Sequence, residues 1–458
     1  MKNPIGFGIA ALAATASIAM AGGDEEKKKN EASKNAATLE RLAPQDPKSA
    51  IKVEGGAGKG ITFDMGDDFS LKIGNRVQVL WNYQSNEAAS AAPGANTSAQ
   101  DINSFRVRRA RTTFGGHLYN KDITYFVQNE WTTNGANTGN LLDAWLNWNF
   151  WKGEGEGKDS IGFRLGAQKT RFGREQTGTS SKLEFVDRSI VSQVFSGNRQ
   201  IGVLLNGNHM EKKLHWNFGV FNGDPAGAAT RLAESGVNPQ NVDQEVGFVA
   251  GVRLDPKGDM GDEGYEQGDL REGEARQQFA YSVGAGVNVG NNRTTVGGVT
   301  TDVETTSINI NAAMKYNGFH ALGEVFIRSD DRDASGAVPS AESDTTGFQI
   351  GGSYTMEAKE KGASQWAFGA RFGLIDADAT TAGGVSVGHV AFPIAGTGAL
   401  VPVWLNGGKV TEIEAMVSNY YKKHNLKTQL GYRHQTIDPD NGSEADNDIL
   451  EILFTFTF

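Results

Sequence analysis

The chain has 458 residues, of which 59 are glycine, 38% are hydrophobic and none is cysteine, and its formal net charge is −10. Without cysteine, disulfides, thiolate catalysis and a lipidated N-terminal cysteine are excluded. A high glycine content with a modest apolar fraction is typical of many short turns rather than long buried helices, so the composition predicts an all-β protein.

The N-terminus predicts export. Lys2 is followed by an apolar run from Ile5 to Ile18 and then by Ala19-Met20-Ala21, the small-x-small pattern that precedes a secretory cleavage site. We expect residues 1–21 to be a signal peptide, because the run is too short and too rich in alanine and glycine for a membrane anchor. An exported acidic chain is also a poor candidate for binding nucleic acid.

Residues 22–60 are charged at first and are then interrupted by proline and glycine. They contain too few apolar residues to form a core, which predicts a periplasmic linker with room for a short helix before Pro44.

Residues 61–458 show a period-two pattern that predicts about sixteen β-strands. In FSLKIGNRVQVLWNY, one face is apolar and the other is polar. The apolar face contains Leu71, Ile73, Val77, Val79, Trp81 and Tyr83. A transmembrane barrel alternates lipid-facing and lumenal residues, so the mean hydropathy of −0.42 does not argue against a membrane protein.

The connections between the predicted strands alternate between short and long. An even-stranded outer-membrane barrel requires this alternation, with tight turns on the periplasmic side and long loops outside. One connection departs from the rule, because Pro256–Arg276 should be a short turn but is long and acidic.

The chain ends on ILFTFTF, in which Phe454, Phe456 and Phe458 share one face. This ending resembles the closing-strand signal of bacterial outer-membrane barrels, whose terminal phenylalanine is read by the barrel assembly machinery. We therefore expect these three residues to act as an assembly signal.

Four stretches of the chain resemble the phosphate-selective porin family. They are FRVRRARTTFGGHLY, DITYFVQNEW, RLGAQKTRFGRE and LEFVDRSIVSQVFSGNRQIGVLLNG, and the similarity is concentrated in residues 69–222. The resemblance implies a homotrimeric, sixteen-stranded antiparallel transmembrane β-barrel in the outer membrane of a Gram-negative bacterium, in contact with lipid and lipopolysaccharide. It also implies a third loop that folds inward and constricts an anion channel.

In this chain the constricting loop would be residues 174–200. The basic residues proposed for the constriction are Lys169, Arg171 and Arg174 at its entrance, with Arg188 and Arg199 as further candidates.

The strand pattern assigns lumenal residues independently of any family. If the apolar face of each strand meets lipid, eleven cationic side chains face the lumen. They are Lys72, Arg76, Arg109, Arg111, Arg164, Arg253, Lys315, Arg328, Arg371, Lys427 and Arg433. The anionic side chains of the same faces are Glu130, Asp143, Glu324, Glu412, Glu414 and Glu451. The acidic chain therefore has a predicted basic lumen, which favours anions such as phosphate or polyphosphate.

The segment FRVRRARTTFGG is the most basic of these strands. Phe114 and Leu118 require the lipid side, so strict alternation directs Arg109 and Arg111 into the lumen. Arg106 and Arg108 lie nearer the first external loop, where either side is tolerated. We expect Lys72, Arg76, Arg109, Arg111 and Arg164 to line the channel and select anions. The alternative is that some of them pair with carboxylates and brace the wall.

Other functions find less support in the sequence. Ser386 lies in a GVSVG motif, but in a long loop without the strand-turn-helix that exposes a hydrolase nucleophile. The seven histidines show no metal-binding spacing, so we expect no enzyme activity, cofactor or metal. A general non-specific porin and a surface adhesin or structural barrel remain as alternatives to the anion porin.

Overall fold

The structure, a computed structural model, describes most of the chain from residue 51 onward. The described residues are 51–86, 101–132, 140–154, 159–195, 199–222, 246–257, 260–261, 264–296, 299–334, 340–360, 362–378, 381–382, 385–386, 391–393, 400–402, 407–440 and 444–458. The chain divides into two compact units, Met1–Lys52 and Val53–Phe458, and the second contains the barrel. The predicted signal peptide and most of the predicted linker lie outside the described residues.

Twenty-two strands and three short helices are present in the described residues. The strands are β1 (Lys52–Gly56), β2 (Gly60–Asp64), β3 (Ser70–Asn86), β4 (Ile102–Leu118), β5 (Asn120–Glu130), β6 (Asn140–Lys152), β7 (Ser160–Lys169), β8 (Arg199–His209), β9 (Leu214–Phe221), β10 (Gly247–Leu254), β11 (Ala280–Val296), β12 (Val299–Tyr316), β13 (Phe319–Arg332), β14 (Ala341–Thr355), β15 (Gln365–Ala377), β16 (Thr381–Ala382), β17 (Val385–Ser386), β18 (Ala391–Pro393), β19 (Leu400–Pro402), β20 (Gly408–Tyr420), β21 (Leu426–Pro439) and β22 (Ala445–Thr457). The helices are α1 (Arg174–Thr177), α2 (Ile190–Phe195) and α3 (Glu274–Gln277). Among the described residues, no helix is both long and apolar enough to cross a membrane.

Strands β3–β15 and β20–β22 form one closed antiparallel barrel. The last strand returns to the first, with Asn447 opposite Asn86 and Thr457 opposite Arg76. Closure pairs the edges of the first and last strands, which would otherwise expose unpaired backbone groups. The predicted sixteen-stranded barrel is therefore confirmed.

The two faces of the barrel strands differ in the way that the period-two pattern predicts. In β14, Phe348 and Ile350 are 39% and 52% exposed, whereas Gln349 between them is 2% exposed. The exposed apolar residues form the outer face and the buried polar residues form the lumenal face.

The connection between β11 and β12 corrects one expectation from the sequence, which was a long loop. The two strands stay in register as far as Val296 opposite Val299, so only residues 297–298 join them. These are two glycines between β-branched residues, and Gly-Gly between such residues is a signal for a two-residue hairpin. The polar composition of the surrounding residues obscured that signal.

A short hairpin, β1 and β2, precedes the barrel and falls largely within the predicted linker. β2 pairs with the start of β3, with Ile61 opposite Ile73 and Asp64 opposite Ser70. Above this pairing the backbone of Phe458 forms two hydrogen bonds with Asn75, of 2.7 and 3.0 Å. Along this edge of β3, β2 therefore continues the wall where β22 ends.

Two connections lie against the lumenal face. The third loop, residues 170–198 between β7 and β8, packs Ile190, Val191 and Phe195 against a buried apolar cluster of the wall. Phe195 stacks on Phe326 of β13 with ring centroids 5.3 Å apart. Since β13 lies across the barrel from β7 and β8, the loop spans the lumen.

The second connection is the fourth turn, residues 255–279 between β10 and β11, which the sequence marked as unusually long. Its described residues include Tyr265, Gln267 and Leu270, all of them buried. The fourth turn therefore folds over the lumen from the end of the barrel where the connections are short, which we call the turn end.

Candidate functional site

All four arginines of the FRVRRARTTFGG segment face the lumen, because β4 contains a β-bulge. Gln78 of β3 lies opposite Arg109, and the next residue of β3, Val79, lies opposite Val107, so Arg108 has no partner in β3. A bulge inserts one extra residue and shifts the alternation of side chains. Strict alternation therefore fails in β4. Arg106 and Arg108 precede the shift, and Arg109 and Arg111 follow it, on the same face.

Contacts with the third loop show that Arg108 and Arg109 point into the lumen. Asp187 of the loop accepts hydrogen bonds from Arg108 at 2.6 Å and from Arg109 at 3.1 Å. Two consecutive residues of a regular strand could not reach one carboxylate. The pKa of Asp187 lies well below its ordinary value of 3.8, because the attraction of Arg108 and Arg109 outweighs the opposing effect of burial.

Arg111 and Arg199 are likewise paired. Arg111 contacts Glu130 at 2.5 Å, and Arg199 contacts Asp143 at 2.9 Å. The predicted channel cations of this part of the wall are thus held in place by carboxylates.

Three further predicted channel residues have different surroundings. Arg76 donates to Thr179 of the third loop at 3.4 Å, and its Nε and Nη2 have no hydrogen-bond partner among the described residues. Arg164 lies over the ring of Trp145 at 3.8 Å. Lys72 is exposed near the turn end of β3.

Two of the basic residues assigned to the constriction stabilise the third loop itself. Lys169 donates to the carbonyl oxygens of Gln176, Thr177 and Gly178 at 2.7 to 2.9 Å. Arg188 donates to the carbonyl oxygen of Gly178 at 2.6 Å. Both cations converge on the end of α1, where backbone carbonyls lack helical partners and carry partial negative charge.

A buried ionic network lies beneath the loop, on the β15–β22 side of the barrel. Arg371 contacts Glu175 of the loop at 3.1 Å and also contacts Glu414. Arg433 contacts Glu451 at 2.9 Å. Glu412 lies 3.7 Å from Arg371 and 3.8 Å from Arg433, so the carboxylates of this network outnumber its two arginines. The network binds the loop to the wall and adds no positive charge to the lumen.

The fourth turn holds the third loop from the turn end. The backbone N–H of Gln267 donates to the carbonyl oxygen of Lys182 at 2.9 Å. Its side chain accepts from the backbone N–H of Glu184 at 3.1 Å and donates to Glu175 at 3.2 Å. Tyr265 bonds to His320 at 2.6 Å, and His320 in turn bonds to Glu184 at 2.9 Å.

Lys315 and Lys427, two predicted lumenal cations, also bind the fourth turn and the third loop. Lys315 donates to the carbonyl oxygen of Glu266 in the fourth turn, and Lys427 donates to the carbonyl oxygen of Leu183 in the third loop. The loop and turn are therefore anchored to opposite sections of wall and to each other.

A cavity remains between the start of the third loop and the wall formed by β8–β12. The charged residues of its lining are Arg171, Arg174 and Arg253, with His215 beside them. Its amide residues are Asn206, Asn208, Asn217, Asn309 and Asn311. None of the described residues that line the cavity is acidic. The lumen thus contains, beside the start of the third loop, a cavity that is lined by cations and amides.

Glycines leave room in this cavity. Gly251 and Gly284 occupy lumenal positions of β10 and β11 and line the cavity. A Cβ atom at Gly251 would lie 2.9 Å from the Asn217 amide, and one at Gly284 would lie 3.0 Å from the Asn311 amide. The wall can therefore carry asparagine side chains flat against glycines without filling the lumen.

A profile of the family described as phosphate-selective porin O and P matches residues 81–458. The chain belongs to this family. The match covers the barrel from the middle of β3 to its last residue, and it makes the protein an outer-membrane porin.

Solved structures of other outer-membrane proteins are similar to the porin. The outer-membrane channel DcaP of Acinetobacter baumannii aligns with a TM-score of 0.53 at 11% identity, over 85% of this chain and 98% of that chain. An anion-selective porin from Comamonas acidovorans aligns with a TM-score of 0.48 at 11% identity, over 85% of this chain and 100% of that chain. No curated protein sequence matches the porin significantly. At such identities the DcaP similarity supports the fold alone.

The sequence did not identify several residues that shape the lumen of the porin. Asp187 was overlooked because an acidic residue in a loop gives no sign of the strand that it contacts. The asparagines of the cavity were overlooked because neutral residues do not enter a count of charges. Their one sequence signal is the spacing at which asparagine alternates with apolar residues, as in SININ (307–311).

Proposed function

We propose that this porin conducts small anions in preference to cations, and that the cavity beside the third loop is the selective part of the passage. The supporting observation is the cavity lining, which combines Arg171, Arg174 and Arg253 with neutral amides and has no acidic residue among its described members. Low-dielectric walls focus the field of like charges, so such a passage attracts anions and repels cations.

The basic row of β4 contributes to the same preference in this proposal. Arg76 of β3 and Arg109 and Arg111 of β4 contact the third loop, where they add positive charge to the lumenal wall. Arginine keeps its charge at any working pH and offers several donors to an oxyanion. Arg109 and Arg111 are held by carboxylates, and Arg253 of the cavity is likewise paired with Asp255 at 3.1 Å, so we expect each of these three to contribute less than the full charge of an arginine.

The third loop narrows the passage. Its apolar residues belong to one cluster with Leu204 of β8 as well as Phe326 of β13, and its ionic network binds it to the β15–β22 side, so the cavity between β8–β12 and the start of the loop is the candidate route for solutes. Inorganic phosphate or polyphosphate is the candidate solute suggested by the family, and a homotrimer is the candidate assembly. Mass measurement of the detergent-solubilised porin tests the trimer, since a monomeric mass contradicts it.

The reversal potential in a planar bilayer tests the anion preference. With a gradient of potassium chloride, we expect the parent porin to be chloride-selective, and Arg171→Gln and Arg174→Gln each to reduce that selectivity. Arg328→Gln is the matched control, because Arg328 is lumenal but pairs with Asp330 at 2.8 Å outside the cavity. A parent porin without anion preference contradicts the function. A control that matches the cavity variants contradicts the location.

A further inference from the structure

The cavity wall has a repeated pairing that charge alone does not explain. Asparagine lies directly opposite glycine across neighbouring strands at four positions. These pairs are Asn206 with Gly162, Asn217 with Gly251, Asn309 with Gly286 and Asn311 with Gly284. Each pair places an amide beside a position without a side chain. The result is a hydrogen-bonding wall opposite the cavity arginines.

The amides are not equivalent in their hydrogen bonding. Asn311 donates to Asn309 at 2.7 Å, and Oδ1 of Asn208 accepts from Nδ1 of His215 at 2.5 Å, so these amides have partners in the wall. By contrast, Nδ2 of Asn206 and Oδ1 of Asn217 are buried without a hydrogen-bond partner among the described residues. These two residues lie opposite each other on β8 and β9.

The chemistry of these two atoms indicates what would satisfy them. In the observed orientation of the two amides, one unpartnered atom is a donor and the other is an acceptor. Chloride accepts hydrogen bonds but does not donate them. A hydroxyl group does both, so it matches the Asn206–Asn217 pair.

We propose that the cavity is a transit site for small hydroxylated organic anions, with the anionic group at Arg171 and Arg174 and a hydroxyl group at Asn206 and Asn217. This inference rests on the proposed anion passage and specifies its solute class. The anionic group can be a carboxylate or a phosphate ester, since arginine binds both. A passage of this kind binds weakly, because a tightly held solute would not leave.

Tartrate and succinate are a matched pair for the test. Both are four-carbon dicarboxylates, and only tartrate has hydroxyl groups. The permeability of each is measured against chloride from the reversal potential, with dipotassium salts on one side of the bilayer. A net hydrogen bond changes an equilibrium by roughly threefold to tenfold. We expect the parent porin to favour tartrate over succinate by a factor in that range.

The double variant Asn206→Leu/Asn217→Leu should bring the two permeabilities together without removing chloride selectivity. Asn82→Leu is the control, because Asn82 is a buried lumenal asparagine of β3 outside the cavity. It should keep the preference for tartrate. Glycerol 3-phosphate compared with inorganic phosphate shows whether a phosphate ester is handled in the same way as a hydroxy acid.

The outcomes separate the two proposals. If the parent porin passes tartrate and succinate equally while still selecting chloride over potassium, the hydroxyl site is wrong and the anion passage stands. If the parent shows no anion preference, the proposed function itself fails. A double variant that retains the tartrate preference removes Asn206 and Asn217 from the site. The parent comparison needs no variant and holds even if the double variant does not fold.

Discussion

Replacing Asp187 by asparagine should loosen the third loop at the basic row of β4. Asp187 accepts one hydrogen bond from Arg108 and one from Arg109, and its side chain is 16% exposed. Hydrogen bonds to charged groups contribute roughly 1.5 to 3 kcal/mol each. Arg108 is 26% exposed, and Arg109 keeps a 3.1 Å bond to Gln78, so the combined loss is discounted to about 2 to 3 kcal/mol.

A loss of that size has a measurable consequence. Since about 1.4 kcal/mol corresponds to a factor of ten, local release of the loop should become on the order of 30- to 100-fold more frequent. The Asp187→Asn channel should show larger current noise and a higher mean conductance. It should also be more anion-selective, because a lumenal negative charge is removed while both arginines stay. Single-channel recording and reversal potentials measure these changes.

Asp330→Asn is the matched control. Asp330 also neutralises a lumenal arginine, Arg328, but both residues belong to β13, so the contact between them does not involve the third loop. The control should not add current noise, because the contact between Asp330 and Arg328 lies within β13. Equal noise in both variants, or an unchanged Asp187→Asn channel, would refute the role of Asp187 as an anchor.

The pH dependence of this contact has a definite sign. A carboxyl group with a lowered pKa stabilises the folded contact fully above its ordinary pKa of 3.8, and the stabilisation is lost as the pH falls through the lowered pKa. The anchor should therefore persist in mildly acidic solution. Current noise that rises between neutral pH and pH of about 5 would contradict this assignment.

Three other predictions address the remaining parts of the porin. Gln267→Ala should increase current noise, because it removes the side-chain hydrogen bonds of the fourth turn to Glu184 and Glu175 of the third loop. If the variant is as quiet as the parent, these bonds do not hold the third loop in place. Deleting Phe458 should lower the amount of porin in the membrane more than the conductance of inserted molecules, since its backbone forms two bonds with Asn75; normal membrane levels would count against an assembly signal. Mass spectrometry of the mature porin should find Gly22 as the first residue, and a retained leader would disprove the cleavage site.

The sequence by itself was sufficient to predict the barrel fold. Period-two alternation survives in a single chain because every strand must present apolar side chains to lipid, as in Leu71–Tyr83. The basic character of several lumenal faces followed from the same alternation. Strand ends were less certain, as β11 and β12 show, because polar residues at the rim suit either a loop or an extended hairpin.

Only the tertiary structure decided which lumenal charges remain available to a solute. The bulge at Arg108 reverses the alternation within β4, and no pattern of residue types distinguishes a bulged arginine from a regular one. Asp187, Glu175 and Gln267 reach partners far away in the sequence. Their pairing depends on how the third loop and fourth turn fold over the lumen, and a single sequence does not encode such long-range contacts in any local pattern. The cavity is likewise a property of the closed barrel, since asparagine lies opposite glycine only after the strands pair.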